Sequence, residues 1–306
     1  MKKIGVVLTD KSDWTAVSLI ETIQKMKHEA IPIDLKEAYC TLGSNSSCEV
    51  GSAEKVNLFD IDAIVVRDLG HGTIDEIAFR SDILLQMQQY GIPLINSPQS
   101  IQIAANKYYS TYLLSKNGLP HPLTYVHQQL DHAIKTTEQL TDCILKPMFG
   151  YQGRGIKRIK NGSVLNYSGS IDMTTTPEET IQFIIDKYGI VYIQEFVESY
   201  GTDIRCFVVN NNVVGAIERT AHEKSWLSNL SQGSIAKAYN VSEEVENLAC
   251  KASSIIGTDF AGIDIIIGSE GPKILEVNGT PSGAGIYRAC NINVTEPIIE
   301  YLTDLL

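Results

Sequence analysis

The feature that most constrains the fold of this chain is the segment GIDIIIGSEGPKILEVNG at residues 262–279, which predicts two strands joined by a glycine-rich turn. With that turn centred on Glu270, Asp264 and Glu276 are equidistant from it and are predicted to pair directly across the hairpin. The alternation of side chains along a strand places Glu276 and Asn278 on the same face as Asp264. Opposed carboxylates repel each other at a Cβ separation of about 4.5–5.5 Å, and a hard cation removes that cost. The three oxygen-bearing side chains therefore predict a Mg²⁺ site that substrate phosphates complete.

The other face of the same hairpin is predicted to be apolar and to point into the core. It would carry Ile263, Ile265, Leu275 and Val277. A solvated polar face on an ordinary hairpin is the alternative to a metal site. That alternative does not explain two acids and an amide surrounded by apolar residues, so the metal site is the favoured interpretation.

Lysine and glycine residues form a second informative segment, ILKPMFGYQGRGIKRIKNG at 144–162. Lys146 ends a strand-like apolar run, and the residues after the glycines alternate like a second strand. A P-loop would need Lys-Ser/Thr opening a helix, and a Rossmann fingerprint would lie near the first βαβ unit. The segment therefore predicts a flap whose glycine amides close over a triphosphate, while Lys146 supplies a point charge. An ordinary glycine-rich hairpin is an equally good interpretation of this stretch alone.

Composition and charge exclude several classes of function. The chain has 306 residues and a net charge of −11, so its surface is expected to repel nucleic acid and anionic membranes. No stretch of about 20 apolar residues is present, and the run IGVVL after Met1-Lys2-Lys3 is too short for a signal peptide. We therefore expect a cytoplasmic protein. The six cysteines and six histidines show no metal-ligand spacing, so neither zinc nor a disulfide framework is expected.

The predicted elements divide the chain into two textures. Over residues 1–98, helices alternate with short apolar strands, which predicts βαβ units and a small parallel sheet. From residue 123 onward, strands and hairpins dominate, so we place a boundary near 98–122. The predicted elements are strands at 3–8, 31–35, 62–69 and 92–97, helices at 13–27, 73–90, 99–117, 174–189 and 242–257, and a surface loop at 40–52.

Two of these helices carry end signals in their sequences. Thr176, Pro177 and Glu179 predict a capping box with proline at the first helical position. Ser242 and Gly257 predict the start and the stop of the other helix.

Several motifs, in this order and spacing, resemble those of the ATP-grasp superfamily and, within it, the RimK-type carboxylate–amine ligases, which are α-L-glutamate ligases. They are NSPQSIQIAANKYYSTYLL, ILKPMFGYQGRGI, YIQEFVESYGTDIRCFVV, AIERTAHEKSWLSNLSQG and GIDIII with ILEVNGTP. Together they extend over nearly the whole chain. The segments VVRDLGHGTIDEIAFRSDIL and WLSNLSQG are most similar to the archaeal-type branch that adds glutamate to pterin cofactors.

The resemblance implies an α/β (α+β) protein with the ATP-grasp fold, in which two antiparallel-sheet subdomains clamp ATP. A pre-ATP-grasp α/β domain would occupy residues 1–98, followed by a linking helix at 99–122. The lid subdomain with the glycine-rich loop would occupy 123–195, and the C-terminal subdomain with the metal site would occupy 196–306.

The resemblance also assigns residues to the nucleotide. The phosphates would meet two lysines under the glycine loop, the adenine edge would meet Glu195 and Phe196 partly through backbone groups, and Asp203 would lie near the ribose. A plain turn residue is an equally good interpretation of Asp203. The residues expected to bind ATP are Lys107, Lys146, Gly150, Gly153, Arg154, Gly155, Glu195, Phe196, Asp203, Ser228 and Asn229.

The implied chemistry is amide formation through an acyl phosphate. Arg205, Arg219 and Asn229 would act at the phosphate or acyl phosphate, and Asp264, Glu276 and Asn278 would bind two magnesium ions, for which manganese could substitute. The chain shows no nucleophile-and-base pair, and such a ligase needs none. One departure from the relatives is Leu227, where a basic residue often stands. It puts one phosphate contact and the exact acceptor in doubt.

The substrates implied are a small-molecule carboxylate acceptor and an amino acid, which the resemblance suggests is L-glutamate; a homo-oligomer is compatible with it. Anionic substrates need cationic or polar anchors, and packing is an equally good interpretation of Trp226. The candidate anchors are Arg67, His71, Lys224, Trp226 and Arg288. Two alternatives stay open, namely a ligase acting on a carrier protein or a ribosomal-protein tail, and a non-catalytic ATP-binding regulator.

Overall fold

The N-terminal part of the chain is built around a parallel sheet. A computed structural model describes residues 1–44, 46–51, 55–150, 155–221, 225–226 and 235–306. Its first elements are β1 (Lys3–Val7), α1 (Trp14–Lys25), β2 (Glu29–Ile33), β3 (Ala38–Thr41), β4 (Ser47–Val50), β5 (Val56–Asn57), β6 (Ala63–Val66), α2 (Ile74–Gln89) and β7 (Leu94–Ile95). Strands β2, β1, β6 and β7 lie side by side in that order and are parallel, as the βαβ pattern predicts.

The predicted surface loop at 40–52 is wrong, because β3 and β4 pair as an antiparallel hairpin that β5 extends into a small sheet. Cys48 and Val50 alternate with more exposed neighbours and are buried, which is the burial pattern of a strand. Cys40 lies directly opposite Cys48, and the two form a disulfide that the cysteine spacing did not predict.

The helix predicted at 99–117 is two helices, α3 (Pro98–Ala105) and α4 (Lys107–Lys116). Asn106 interrupts them with an extended backbone, at φ −88° and ψ 96°. Its side chain accepts a hydrogen bond from the Tyr109 amide, so it caps the second helix. Lys107 is therefore the first residue of a helix and is not in the middle of one.

The middle of the chain forms an antiparallel sheet with two helices. Its elements are β8 (Thr124–His127), α5 (Leu130–Leu140), β9 (Asp142–Lys146), β10 (Lys157–Lys160), β11 (Ser163–Leu165), α6 (Pro177–Tyr188) and β12 (Val191–Glu195). The strand order is β11, β10, β9, β12, β8. The capping box predicted for α6 is confirmed, with Pro177 at the first position.

The C-terminal part forms a second antiparallel sheet. Its elements are β13 (Thr202–Val209), β14 (Asn212–Thr220), β15 (Ile235–Ala238), α7 (Glu243–Ile256), β16 (Phe260–Gly268), β17 (Gly271–Asn278), α8 (Ala284–Cys290) and α9 (Thr295–Asp304). The strand order is β15, β14, β13, β16, β17. Ser242 and Gly257 bound α7 as predicted.

The hydrophobic clusters differ in whether they belong to one sheet or join two. Among the residues that the structure describes, the core of the middle sheet comes only from residues 125–193. In contrast, one cluster joins β1, α1 and β6 of the N-terminal sheet to β13, β16 and α9 of the C-terminal one. The domain bounds at 98, 122 and 195 stay predictions. No helix within the described ranges is long and apolar enough to cross a membrane.

Candidate active site

The hairpin of β16 and β17 does pair Asp264 with Glu276, although for a reason that the sequence did not reveal. Gly268 pairs with Gly271, so counting back from this turn would put Asp264 opposite Leu275. The register shifts immediately after Asp264, which leaves Leu275 as an extra residue of β17 and restores the pair with Glu276. The predicted pair is confirmed, and a bulge produces it.

The bulge also corrects the predicted apolar face of the hairpin. Ile274 pairs with Ile265 and is 1% exposed, whereas Leu275 is only half-buried and lies outside the core cluster. Ile263, Ile265 and Val277 face the core as expected. The inward position assigned to Leu275 therefore belongs to Ile274.

Asp264 is buried between two arginines, one from the adjacent strand β13 and one from β14, the strand beyond it. Arg205 lies directly opposite it on β13 and donates through Nε and Nη2 to its two carboxylate oxygens. Arg219, on β14, places Nη2 3.0 Å from Asp264 Oδ2 and donates from Nε to Asp203 Oδ1 at 2.6 Å. The four side chains form a row of alternating charge across three strands.

The charges in this row stabilise one another. Burial opposes ionisation of Asp264, but the positive charges of Arg205 and Arg219 outweigh it and hold its pKa well below the usual range. Burial also disfavours the charged form of Arg219, yet the carboxylates of Asp264 and Asp203 raise its pKa above the ordinary value. The interpretation of Asp203 as a turn residue is wrong, because it lies within β13 and is 5% exposed.

The expected unrelieved repulsion between Asp264 and Glu276 is also wrong. Asp264 is neutralised by its arginines, and the Glu276 carboxylate lies 3.4 Å from Lys107 Nζ. The same Lys107 ammonium donates to the Gly150 carbonyl at 2.9 Å. Lys107 therefore connects the metal-site hairpin to the start of the glycine-rich loop, at the first residue of α4.

Lys146 ends β9 on the same side of the site. Its side chain is half-buried, and its ammonium donates to Gln194 Oε1 at 2.7 Å. Burial lowers the pKa of Lys146 to about 8, with Lys107 lowering it further and the Glu276 carboxylate opposing the shift. The Lys146 ammonium therefore loses its proton more readily in the ligand-free protein than an ordinary lysine does.

The side chains of Asp264, Glu276 and Asn278 fit a hard cation. An ionised carboxylate offers about four lone-pair positions, and three arginine N–H groups occupy those of Asp264, which leaves room for one more ligand. Glu276 is 36% exposed, and Asn278 accepts from the Thr280 amide at 2.9 Å, which leaves a second lone pair on its oxygen. The part of the chain that the structure describes contains no cluster of three or more His, Cys, Asp or Glu able to hold a metal ion. Phosphate oxygens would therefore have to supply the remaining ligands.

The adenine contacts expected at Glu195 and Phe196 stay predictions, but hydrogen bonds within the protein limit which backbone groups could make them. The Phe196 amide donates to the Asp142 carbonyl at 3.1 Å, and the Glu195 amide donates to the Leu123 carbonyl at 2.9 Å. The Glu195 carboxylate accepts from Lys273 at 2.8 Å. Neither amide is available to adenine, because antiparallel pairing at the end of β12 already uses both.

Trp226 is held by packing, which favours that interpretation over a substrate anchor. Its indole N–H donates to the Asn166 carbonyl at 2.8 Å, and its ring lies 6.0 Å from that of Tyr167 and 6.5 Å from that of Phe196. The Arg158 guanidinium stacks 3.3 Å above Phe196.

Arg67 is also engaged within the protein, so it is not a free anchor as predicted. It binds Asp13 with two hydrogen bonds and donates to the Thr280 carbonyl. His71 and Arg288 are exposed. Arg80 donates to the Leu69 and His71 carbonyls and so fixes the loop that carries His71.

Two glycines at the ends of the predicted flap are described. A Cβ at Gly150 would meet Pro147 Cγ at 2.8 Å, and Gly155 has a φ of +75°. Both positions therefore favour glycine. The remaining predicted residues lie outside the described part of the chain, namely Gly153, Arg154, Lys224, Leu227, Ser228 and Asn229.

The structure thus brings Lys107, Lys146, Arg205, Asp264 and Glu276 to one site, while their roles stay predictions. Sequence reasoning missed Gln194, which holds the Lys146 ammonium. The signal that could have found it is a polar residue within the apolar strand VYIQE.

Comparison with known proteins bears on this geometry. Residues 104–302 match the model of the RimK-like ATP-grasp domain. The chain is 41% identical to a tetrahydromethanopterin:alpha-L-glutamate ligase of Methanosarcina acetivorans, with 100% of both chains covered. It is 35% identical to a ligase of the same name from Methanocaldococcus jannaschii, with 79% of each covered.

Solved structures share the fold at low sequence identity. The ATP-grasp ligase PsnB, complexed with a minimal precursor, has a TM-score of 0.72 at 20% identity over 99% of both chains. The D-cycloserine synthetase DcsG has a TM-score of 0.72 at 16% identity, covering 99% of this chain and 100% of that one. These likenesses establish the fold and carry no information about substrates.

Proposed function

Because this chain belongs to the RimK-like ATP-grasp family and is an ATP-dependent ligase, we propose that it joins L-glutamate to the carboxylate of a small pterin-type acceptor. The names of the relatives from Methanosarcina acetivorans and Methanocaldococcus jannaschii support the amino acid and the acceptor. The observation that carries the proposal is the site in which Lys107, Lys146, Arg205, Asp264 and Glu276 meet. Such a site stabilises transferring phosphoryl charge by position and electrostatics.

The reaction proceeds in two displacements. An acceptor carboxylate oxygen attacks the γ-phosphorus of ATP, which breaks the bond to ADP and forms an acyl phosphate. The amine of glutamate then attacks the acyl carbon, phosphate leaves with the bonding pair, and the nitrogen loses its extra proton to solvent. Lys107 and Lys146 orient the phosphates and offset their charge throughout.

Asp264, Glu276 and Asn278 would hold magnesium, which supplies Lewis-acid stabilisation of the phosphates when bound. We assign two ions, with manganese as a substitute. The Arg219 side chain is 4% exposed and forms ion pairs with Asp203 and Asp264, which fixes both carboxylates in place. Arg205 is more accessible at 18%, so it is the better group to meet the acyl phosphate.

The acceptor would bind where the loops after β1 and β6 meet. Strands β1 and β6 are adjacent and parallel, and the chain continues from β1 to β2 on one side and from β6 to β7 on the other. Open α/β sheets bind ligands at the carboxyl ends of two such strands. Asp68 accepts from the Thr9 amide at 3.2 Å and the Gly70 amide at 2.8 Å, so both loops are held in place. Exposed His71 lies at their edge and can meet an anionic acceptor.

Mass spectrometry of reaction products tests this function. With ATP, Mg²⁺ and L-glutamate, we expect a pterin acceptor that ends in a carboxylate to gain the mass of one or more glutamyl residues. The matched control is the same acceptor with that carboxylate amidated, which should not react. Modification of a carrier protein or peptide instead would contradict the acceptor, and ATP binding without any turnover would contradict the enzyme.

A first prediction concerns protonation of Lys146. Its pKa of about 8 in the free protein means that half of the molecules lack this charge at pH 8, and bound triphosphate should restore it. We therefore expect ATP binding at pH 8 to take up about half a proton, and ATP affinity to fall as pH rises above 8. Calorimetry in buffers of different ionisation enthalpy measures the uptake.

Two variants separate this effect from others. Lys146→Arg stays charged at every pH used, so its uptake should vanish. Lys146→Ala should lose both the uptake and much of the ATP affinity while its melting temperature changes little. Unchanged ATP affinity in Lys146→Ala would contradict a phosphate contact.

A further inference from the structure

The turn that follows β17, residues Asn278 to Thr280, is held by side chains from the N-terminal part of the chain. The Thr280 amide donates to Asn278 Oδ1 at 2.9 Å. The Gly279 carbonyl accepts from Asn96 Nδ2 at 2.5 Å, and the Thr280 carbonyl accepts from Arg67 Nη1 at 3.0 Å. The backbone carbonyls of Gly279 and Thr280 are therefore bound by side chains that do not belong to the C-terminal sheet.

Asn96 is fully buried and uses all of its hydrogen-bonding capacity here. It also donates to the Phe260 carbonyl at 2.7 Å and accepts from the Asp259 and Phe260 amides at 2.6 and 3.0 Å. One side chain thus joins the start of β16 to the end of β17. Those are the strands that carry Asp264 and Asn278.

Arg67 is rigid for a separate reason. Its side chain is 13% exposed, and it binds both oxygens of Asp13, at 2.7 and 3.0 Å. Asp13 is itself fixed, because it caps α1 by accepting from the Ala16 amide at 2.9 Å. The Arg67 guanidinium that binds the Thr280 carbonyl is therefore fixed in position by Asp13.

Packing restricts the turn further. A Cβ at Gly279 would lie 3.3 Å from Ala104 Cβ, 3.5 Å from Ile101 Cα and 3.8 Å from the Ser100 carbonyl, so α3 lies directly against this backbone. With the turn immobile, the Thr280 amide fixes the orientation of the Asn278 amide group. One lone pair of its oxygen is occupied, and the other stays available to a cation.

We propose that Arg67 and Asn96 are positioning residues for the metal ligand Asn278, acting through the turn at 278–280. This inference rests on the proposed metal site. Groups that orient metal ligands typically change metal affinity by about 10- to 100-fold when removed. The N-terminal sheet thus sets the geometry of a site whose ligands all lie on the C-terminal one.

The test is Mn²⁺ binding to the full-length protein with ADP, measured by electron paramagnetic resonance, in the Arg67→Met variant. Positioning predicts that Mn²⁺ affinity falls about tenfold or more. Electrostatics alone predicts the opposite sign, because removing a cation near the site should strengthen cation binding. Unchanged or tighter Mn²⁺ binding in the folded variant would overturn the proposal.

Further measurements keep the outcome decisive. ADP affinity without metal should stay within about twofold, which separates loss of metal from loss of the nucleotide site. Arg67→Lys keeps the charge but cannot hold Asp13 and the Thr280 carbonyl together, so positioning predicts weaker Mn²⁺ binding where electrostatics predicts no change, and this variant decides the question if Arg67→Met fails to fold. Thr22→Val breaks a buried 2.7 Å contact with Thr295, between α1 and α9 and away from the turn, and should leave Mn²⁺ affinity unchanged. If the wild type with ADP binds no Mn²⁺, the proposed metal site itself is overturned, and the positioning role with it.

Discussion

We expect the Glu276→Gln variant to lose nearly all ligase turnover while keeping its fold. The substitution preserves shape but removes one of the two carboxylates available to magnesium, so extra Mg²⁺ should restore activity only weakly. The sequence alone predicts a gain in stability from relieved repulsion. Since Lys107 lies 3.4 Å from Glu276 and both arginines neutralise Asp264, we now expect unchanged or slightly lower stability in the ligand-free protein.

Thermal melting with and without Mg²⁺ and a nucleotide analogue checks this prediction alongside turnover. In the wild type, ligand at a hundred times its Kd should add about 2.7 kcal/mol, whereas the variant should gain far less at the same concentrations. Glu270→Gln makes the same chemical change at the exposed turn of the same hairpin and should behave like the wild type. A Glu276→Gln protein that is stabilised as strongly as the wild type would show that this hairpin does not bind the metal.

The Arg219→Met variant should produce the largest loss of stability. Arg219 neutralises Asp203, which is 5% exposed, and removing one partner of a buried pair typically costs about 3–5 kcal/mol. For a chain of this size we expect the melting temperature to fall by roughly 6–20 °C. Differential scanning calorimetry of both proteins without ligand measures the change.

A double variant identifies the cause of that loss. Adding Asp203→Asn to Arg219→Met removes the buried carboxylate that Arg219 binds and should recover at least half of the lost stability. Arg158→Met is the matched control, because it also removes a buried arginine that binds a carboxylate. The side chain of its partner Asp142 is 22% exposed, against 6% for Asp203, so water can solvate the remaining carboxylate and the loss should be smaller. An equal loss in both single variants, or no recovery in the double variant, would contradict a buried ion network.

Periodicity and end signals were sufficient for the parts of the fold governed by neighbouring residues. The parallel N-terminal sheet, the capping box at Thr176 and the bounds of α7 at Ser242 and Gly257 are examples. The break at Asn106 was missed because a helix-compatible pattern continues through it, and only the capped second helix reveals the interruption. The bulge at Leu275 was missed because no local pattern distinguishes Ile274 from Leu275 as the residue that faces the core.

Ion pairs between residues far apart in the sequence are the part of the site that could not be predicted. Sequence patterns and the family resemblance made Asp264 and Arg219 candidate site residues, but nothing local indicates that they bind each other or that Asp203 completes the row. Arg67 shows the same limit, since its partners Asp13 and Thr280 lie 54 and 213 positions away. Contacts at such separations depend on how the sheets assemble, which a single sequence does not encode in any local pattern.

The separate core of the middle sheet has a consequence for recombination between relatives. Within the described ranges its buried residues come only from 125–193, so we expect that this segment can be exchanged between family members by cutting the chain at two places. The N-terminal sheet offers no such exchange, because Ile4, Leu19 and Val65 share a cluster with Phe207, Phe260 and Ile298. In a chimera with residues 1–98 from a relative, the new segment would have to pack against core residues of the C-terminal part that come from the other parent. Transfer of acceptor preference between relatives is therefore expected to need the N- and C-terminal segments together, while residues 125–193 can come from either parent.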